Sequence, residues 1–328
     1  MYELLVTDYA LDIKDTTTIG DRQCFCDERY AYFTTCIENK EEIFIEQAVL
    51  ATFLKENGCR GMAWPIRNSQ DEWHTVYKGK RYLVCCTEIE HFSDNYSSGE
   101  LLAHFHKRFR HYPYQPKYVS CYGDWKELWI DKLEYFEETI GQLANQKRDP
   151  YACRVMDVFS YLIGISENAI QYIGESEMEV RFGDSDQPAI TFVRYHEQLR
   201  EPVIWPDDLL YDHPVRDIAE WMRTKFLEND YNAPEDAARF LADYESVQPL
   251  SIFGWRLLYA RLLYPAHFFD LLERLFETED EEKQEDIMGI LNRLCSKQEL
   301  YEERLREFFE IINVNPQQFQ IPQPEWLV

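Results

Sequence analysis

The stretch Val203-Ile204-Trp205-Pro206-Asp207-Asp208 passes through two leucines into Tyr211-Asp212-His213-Pro214-Val215-Arg216-Asp217-Ile218-Ala219-Glu220-Trp221-Met222-Arg223. A proline-punctuated, irregular approach gives way at Val215 to a helix. Four carboxylates crowd the junction, those of Asp207, Asp208, Asp212 and Asp217. Such a group suggests a metal, but carboxylates in a turn and at a helix start also serve as caps. Capping is the reading for Asp217, and no metal is assigned.

Upstream, residues 175–211 read as a non-helical insert, rich in β-formers and broken by Pro188, Pro202 and Pro206. Before it the pattern is helical. Residues 125–143 carry Trp125, Leu128, Trp129, Leu133, Phe136, Ile140 and Leu143 at three- and four-residue spacing, and Val155, Val158, Phe159 and Leu162 continue the stripe.

The first ninety residues read as strands around one helix. The clearest hairpin joins 73–77 to 82–87 across Lys78-Gly79-Lys80, and 30–37 is a further strand. Residues 41–57 place Ile43, Phe44, Leu50, Ala51 and Leu54 on one helical face and stop at Asn57-Gly58. After Val215, helices continue through a break at Pro265 to about Ile312, and residues 315–328 are expected as an extended tail. The expected division is a β-rich N-terminal lobe, 1–90, and a mainly helical C-terminal lobe, 91–328.

Composition is globular, with 45% hydrophobic, 15% aromatic and 29% charged residues over 328 positions. Sixty acidic against 34 basic residues give a formal charge of -26, which repels nucleic acid and anionic membrane surfaces and favours basic proteins or polyamines. Charged residues interrupt every apolar run before membrane-spanning length. Residues 1–10 include Glu3 and Asp8 and lack a signal-peptide pattern, so synthesis in a reducing cytosol is expected.

Most catalytic patterns are missing. There is no G-x-S-x-G elbow, and His196-Glu197 begins like a zinc-protease helix but has Arg200 where the second histidine belongs. Cys24 and Cys26, if on a strand, share a face, whereas adjacent Cys85 and Cys86 oppose each other; buried, inert thiols are the reading for both pairs, with oxidative cross-linking the alternative if the protein later leaves the cytosol. His104 and His106 point in different directions on a helix and are assigned to packing.

The order of a small β-rich part, a helical part and an irregular insert resembles the aminoglycoside/choline kinase-like superfamily, in which a strand ending in Asp-Phe-Asp precedes a Tyr-Asp-x-Pro-x-x-Asp-Leu-Ala helix start. Within it the chain is similar to the bacterial spore-coat branch, the CotS/YutH type. Leu102-Ala103-His104-Phe105-His106, the Trp-rich helix from Trp125, and Tyr264-Pro265-Ala266-His267-Phe268 resemble segments of that branch. The resemblance implies an α+β, bilobal protein-kinase-like (aminoglycoside phosphotransferase-like) fold.

The departures carry the functional expectation. Twelve residues before Asp217, where active relatives hold magnesium with an aspartate, stands Trp205, and Asp207 matches only the second acidic position. The His-Gly-Asp turn of active relatives is replaced by a stretch containing Arg194-Tyr195-His196, and no aspartate lies between Asp186 and Asp207. No lysine occurs between Lys14 and Lys40, where the phosphate-pairing strand lysine belongs, and none of the 12 glycines form G-x-G-x-x-G.

The resemblance with these losses implies a pseudokinase of the spore coat without cofactor, made in the mother cell and joined to other coat proteins. An active small-molecule kinase using Asp207, Asp208 or His196 is the alternative. A non-catalytic ligand-binding protein is a third reading.

Overall fold

The structure is a computed structural model that describes residues 1–88, 95–144, 150–179, 183–228, 230–318 and 321–324. The chain forms two compact units, one from residues 1–96, 105–120 and 188–212, the other from 97–104, 121–187 and 213–328. The expected division at residue 90 falls in 89–94, outside the described residues.

The first unit is built on an antiparallel sheet. A short helix α1 (Tyr2–Asp8) precedes β1 (Asp15–Ile19), β2 (Arg22–Cys26) and β3 (Tyr30–Cys36). After α2 (Glu41–Glu56) come β4 (Trp64–Pro65), β5 (His74–Tyr77) and β6 (Lys80–Glu88). The order is β1-β2-β3-β6-β4, with β5 also on β6. The β5–β6 hairpin is tighter than expected. Tyr77 pairs with Lys80, so the turn is only Lys78-Gly79, and φ of 51° and 79° at these residues matches the twist that favours two-residue hairpins.

α2 ends as its Asn-Gly sequence predicts. Gly58, at φ +76°, sends its N–H to Lys55 O at 3.0 Å, and the Cys59 N–H reaches Leu54 O at 2.8 Å, the paired bonds of a Schellman cap. Leu50, Ala51 and Leu54 are buried, but Ile43 is exposed, and Gln47 and Ala48 take buried places. The cysteines follow the strand alternation: Cys24, Cys26 and Cys85 join one core cluster, while Cys86 joins another with Leu4, Leu5 and Tyr9. Burial pushes the thiols up, Cys24 to about 11 and Cys86 to about 12.

Two strands complete this unit, β7 (Ala189–Phe192) and β8 (Leu209–Asp212), antiparallel with Phe192 opposite Leu209. Residues 193–208 connect them. That connection is stitched to the β-rich part by a bridge between Met62 and Ile204.

The second unit is helical. It takes in the start of α3 (Ser98–Phe109), then α4 (Trp125–Ala144), α5 (Pro150–Glu179), α6 (Val215–Leu227), α7 (Ala233–Val247), α8 (Ile252–Leu263), α9 (Ala266–Glu277), α10 (Glu281–Arg306) and α11 (Phe308–Ile311). Residues 253–263 of α8 are all buried, the apolar residues together with Arg256 and Arg261. α5 continues through residues 175–179, which the sequence reading placed in the insert. Its buried stripe of Ala169, Tyr172, Ile173 and Ser176 persists past the expected end. The chain breaks at Tyr264-Pro265 as expected. Of the expected tail, residues 319–320 and 325–328 lie outside the described residues. Between them Ile321 is buried, and Tyr172 donates to Pro322 O. No helix among the described residues is long and apolar enough to cross a membrane.

Candidate functional site

The connection between β7 and β8 carries five of the residues singled out by sequence: Arg194, Tyr195 and His196 at one end, Trp205 and Asp207 at the other. Trp205 is half-buried and packs against a core cluster that includes Phe33, Cys24, Cys85 and Val203. Its indole meets the Phe33 ring edge-on at 4.6 Å.

Arg22 was not among the residues picked from sequence, yet it organises this end. The β1–β2 turn uses Gly20, at φ +62°, and Asp21, which makes Arg22 the first residue of β2. Its guanidinium lies 4.6 Å over the Trp205 ring and donates to Asp207 Oδ2 at 2.9 Å. Cation–π and ion-pair contacts thus converge on one side chain, 185 residues away in sequence.

α2 fastens the same segment. Gln47 Nε2 donates to the carbonyls of Asp207 at 3.0 Å and Leu209 at 3.1 Å. One residue earlier, the Glu46 carboxylate accepts the backbone N–H groups of Lys117, Tyr118 and Val119 at 2.8, 2.6 and 2.9 Å.

The electrostatics follow from burial and neighbours. Burial pulls Arg22 down, but the hydrogen bond and charge of Asp207, with Asp208 and Asp21, outweigh it and raise the guanidinium. Burial, then the adjacent Asp207, pushes the Asp208 carboxyl up to about 6. These donors do not fit a magnesium ion. An indole offers a hard cation no oxygen, and the Asp207 carboxylate already has a cationic partner. Among the described residues no three or more His, Cys, Asp or Glu side chains come together to hold a metal.

At the other end of the connection, Tyr195 is fully buried against Phe192, ring centroids 5.3 Å apart. His196 is exposed, and its backbone N–H donates to Gln198 Oε1 at 2.6 Å. Arg194 donates to Val193 O, and its own carbonyl accepts from Gln198 Nε2. Glu197 turns the chain at φ +67°, a conformation that few non-glycine residues adopt. The local bonds fold this turn upon itself.

In the helical unit, Asp217 is fully buried and is the third residue of α6, whose N-cap position is Pro214. The side chain that caps α6 is His213, missed in the sequence: the Val215 N–H donates to its Nδ1 at 3.1 Å, which leaves the proton on Nε2 to be given to Asp186 Oδ1 at 3.1 Å. Ser251 Oγ also donates to Asp186 Oδ1, and Gly183 N–H to Oδ2 at 2.6 Å. Burial raises the Asp186 carboxyl, but the bonds from His213, Ser251 and Gly183 outweigh it and hold the group below its usual range. The hydroxyl bonds the carboxylate and not the imidazole, so the three are a brace, not a nucleophilic triad.

A small antiparallel sheet and a larger helical part make an aminoglycoside phosphotransferase-like fold. The fold matches the crystal structure of an aminoglycoside phosphotransferase from Alicyclobacillus acidocaldarius subsp. acidocaldarius DSM 446 with a TM-score of 0.62 at 13% identity, over 94% of this chain and 95% of the other. It also matches the amicoumacin kinase hAmiN, solved with AMP-PNP, Ca2+ and Ami, with a TM-score of 0.56 at 14% identity over 97% and 95%. Residues 2–308 match the family described as spore coat putative kinase YutH, and the chain belongs to that family. The endospore coat-associated protein YutH of Bacillus subtilis (strain 168) is 31% identical over 315 residues, 93% of this chain and 91% of the relative.

Proposed function

We propose that this protein is a pseudokinase, a catalytically inactive interaction component of the spore coat that is made in the mother-cell cytoplasm and then built in beside other coat proteins. The observation that carries the reading is position 205. Phosphoryl transfer rests on positioning and on metal neutralisation of phosphate charge. Here an indole stands where the metal-holding carboxylate belongs, and Arg22 supplies the counter-charge to Asp207 from within the chain. β3 has no lysine, and the Glu46 carboxylate of α2 is taken up by three backbone N–H groups. The coat-associated name of the Bacillus subtilis relative supports the location.

Titration calorimetry with Mg-ATP and a broad phosphotransfer screen are expected to give no magnesium-dependent signal. Trp205→Asp alone is expected to restore none, because the catalytic aspartate and strand lysine are still absent. One observation favours the alternative of an active kinase: a carboxyl at about 6, as at Asp208, is poised for proton transfer. Robust transfer by the wild-type chain, abolished by Asp207→Ala, Asp208→Asn or His196→Ala, would establish that alternative instead.

A further inference from the structure

In the helical unit α4 and α5 pack together and leave an open groove of about 530 Å³ between them. Its floor is apolar, formed by Ile130 and Leu133 from α4 and Ile170 from α5, with Met178 of α5 at its open edge. Met178 is 81% exposed, an unbranched thioether laid open to solvent. The rim is acidic: exposed Glu134 and Glu137 stand on one side, Glu167 and Glu175 on the other.

The groove continues along the helices as a stripe. Glu167, Gln171, Glu175 and Met178 occupy successive turns of α5, so its two rim carboxylates stand about 12 Å apart along the axis. One lysine, Lys126, lies within the groove, its stem and ammonium 3.4 Å from where a Cβ on Gly174 would stand. Beside it, burial and then the charge of Glu127 raise the Glu177 carboxyl against the pull of Lys126.

We propose that this groove docks a lysine- or arginine-rich amphipathic helix of a partner protein. The apolar floor suits helix anchors repeating every three or four residues. The rim charges suit basic side chains seven or eight positions apart, about 10–12 Å on a helix. A small polyamine would satisfy the rim and leave the floor open. An acidic or neutral helix would bring no charge complement to the carboxylates. The inference is independent of the pseudokinase reading, because its test reads binding alone.

The test uses the full chain and a fluorescein-labelled leucine/lysine peptide of about 18 residues, long enough to hold a helix on the protein. Saturable anisotropy binding that weakens with salt is expected. Joint replacement of Glu134, Glu137, Glu167 and Glu175 by glutamine is expected to weaken it about tenfold or more, and Met178→Ser several-fold. A control that neutralises Glu235, Glu279, Glu285 and Asp286, exposed and off the groove, removes the same charge and is expected to bind as wild type. Equal weakening in both four-site variants would overturn the proposal in favour of attraction to net charge. Indifference to Met178→Ser with displacement by spermine would overturn it in favour of a small polycation, and absence of saturable binding would overturn it outright.

Discussion

Replacing Asp186 by alanine takes one acceptor from three donors at once. Gly183 N–H, Ser251 Oγ–H and His213 Nε2–H all end on its carboxylate, and Asp186, His213 and Gly254, whose N–H caps onto Ser251 Oγ, tie α6 to α8 through it. Asp186 and His213 are essentially inaccessible to water, so the imidazole N–H cannot be rehydrated in place, whereas Gly183 is exposed and Ser251 half-buried. A buried donor left unsatisfied costs about 1–3 kcal/mol, which applies in full to His213, and opening a buried charged network of this kind costs about 3–5 kcal/mol in all.

Urea unfolding and amide hydrogen exchange at Val215 and Gly254 measure the loss globally and at the two helix starts. Ser251→Ala removes one donor and the α8 cap, about 0.5–2 kcal/mol. The double variant is expected to lose less than the sum, because the hydroxyl is no longer left orphaned. The carboxyl is held below its usual range, so its contribution is complete above the unfolded value near 3.9 and is lost as pH falls through the folded one. Asp186→Asn is expected to remove that part of the acid-side slope. A loss under about 1 kcal/mol, or strict additivity with Ser251→Ala, would refute the network.

Asp208 works with the opposite sign. Its carboxyl sits at about 6 in the folded chain, so stability falls as pH rises from about 4 to 6, and Asp208→Asn is expected to gain roughly 1–2 kcal/mol at pH 7.5 and little at pH 4, read by urea unfolding at both. Gly99→Ala is expected to destabilise by about 1–3 kcal/mol in the same assay, because its Cβ would stand 2.1 Å from Phe240 O, a backbone atom that cannot swing aside. Asp217→Ala is expected to lower stability by about 0.5–2 kcal/mol if the carboxylate braces the first turn of α6, and unchanged thermal unfolding would remove that role.

Local signals were legible where local rules decide. The Asn57-Gly58 stop, the Lys78-Gly79 turn and the faces of the paired cysteines each depend on a few neighbouring residues, and each is present in the fold. α1 escaped notice because seven residues are too few for a periodic signal, and two leucines suffice to seat it. The end of α5 was misplaced because polar residues at 175 and 177 mask a buried stripe on the opposite face. At the candidate site, counting from Asp217 singles out Trp205 and Asp207, but nothing in the sequence singles out Arg22. Nothing near residue 22 announces a partner 185 positions away. The His213 brace was hidden similarly, since its ends at Asp186 and Ser251 meet only through tertiary packing, although a histidine just before a helix start is a signal that could have flagged it.

Active sites keep polar groups in states that the fold alone would not choose, and such local inconsistency is what a substrate or metal later relieves. In the loop from 193 to 208 many of these groups are answered from within the chain. Arg22 answers the Asp207 charge, Phe33 and Arg22 enclose the indole of Trp205, and Gln47 takes the carbonyls of Asp207 and Leu209. Any cation approaching the Asp207 carboxylate would compete with the Arg22 guanidinium, and the Trp205 indole offers it no oxygen ligand. The residual tension lies at Asp208, whose raised carboxyl comes from burial and from Asp207 beside it. If that tension is a remnant, Asp208→Asn stabilises the chain and changes no activity. If it is a working acid, the same substitution gains stability and abolishes transfer, so measuring both on one variant separates the two histories.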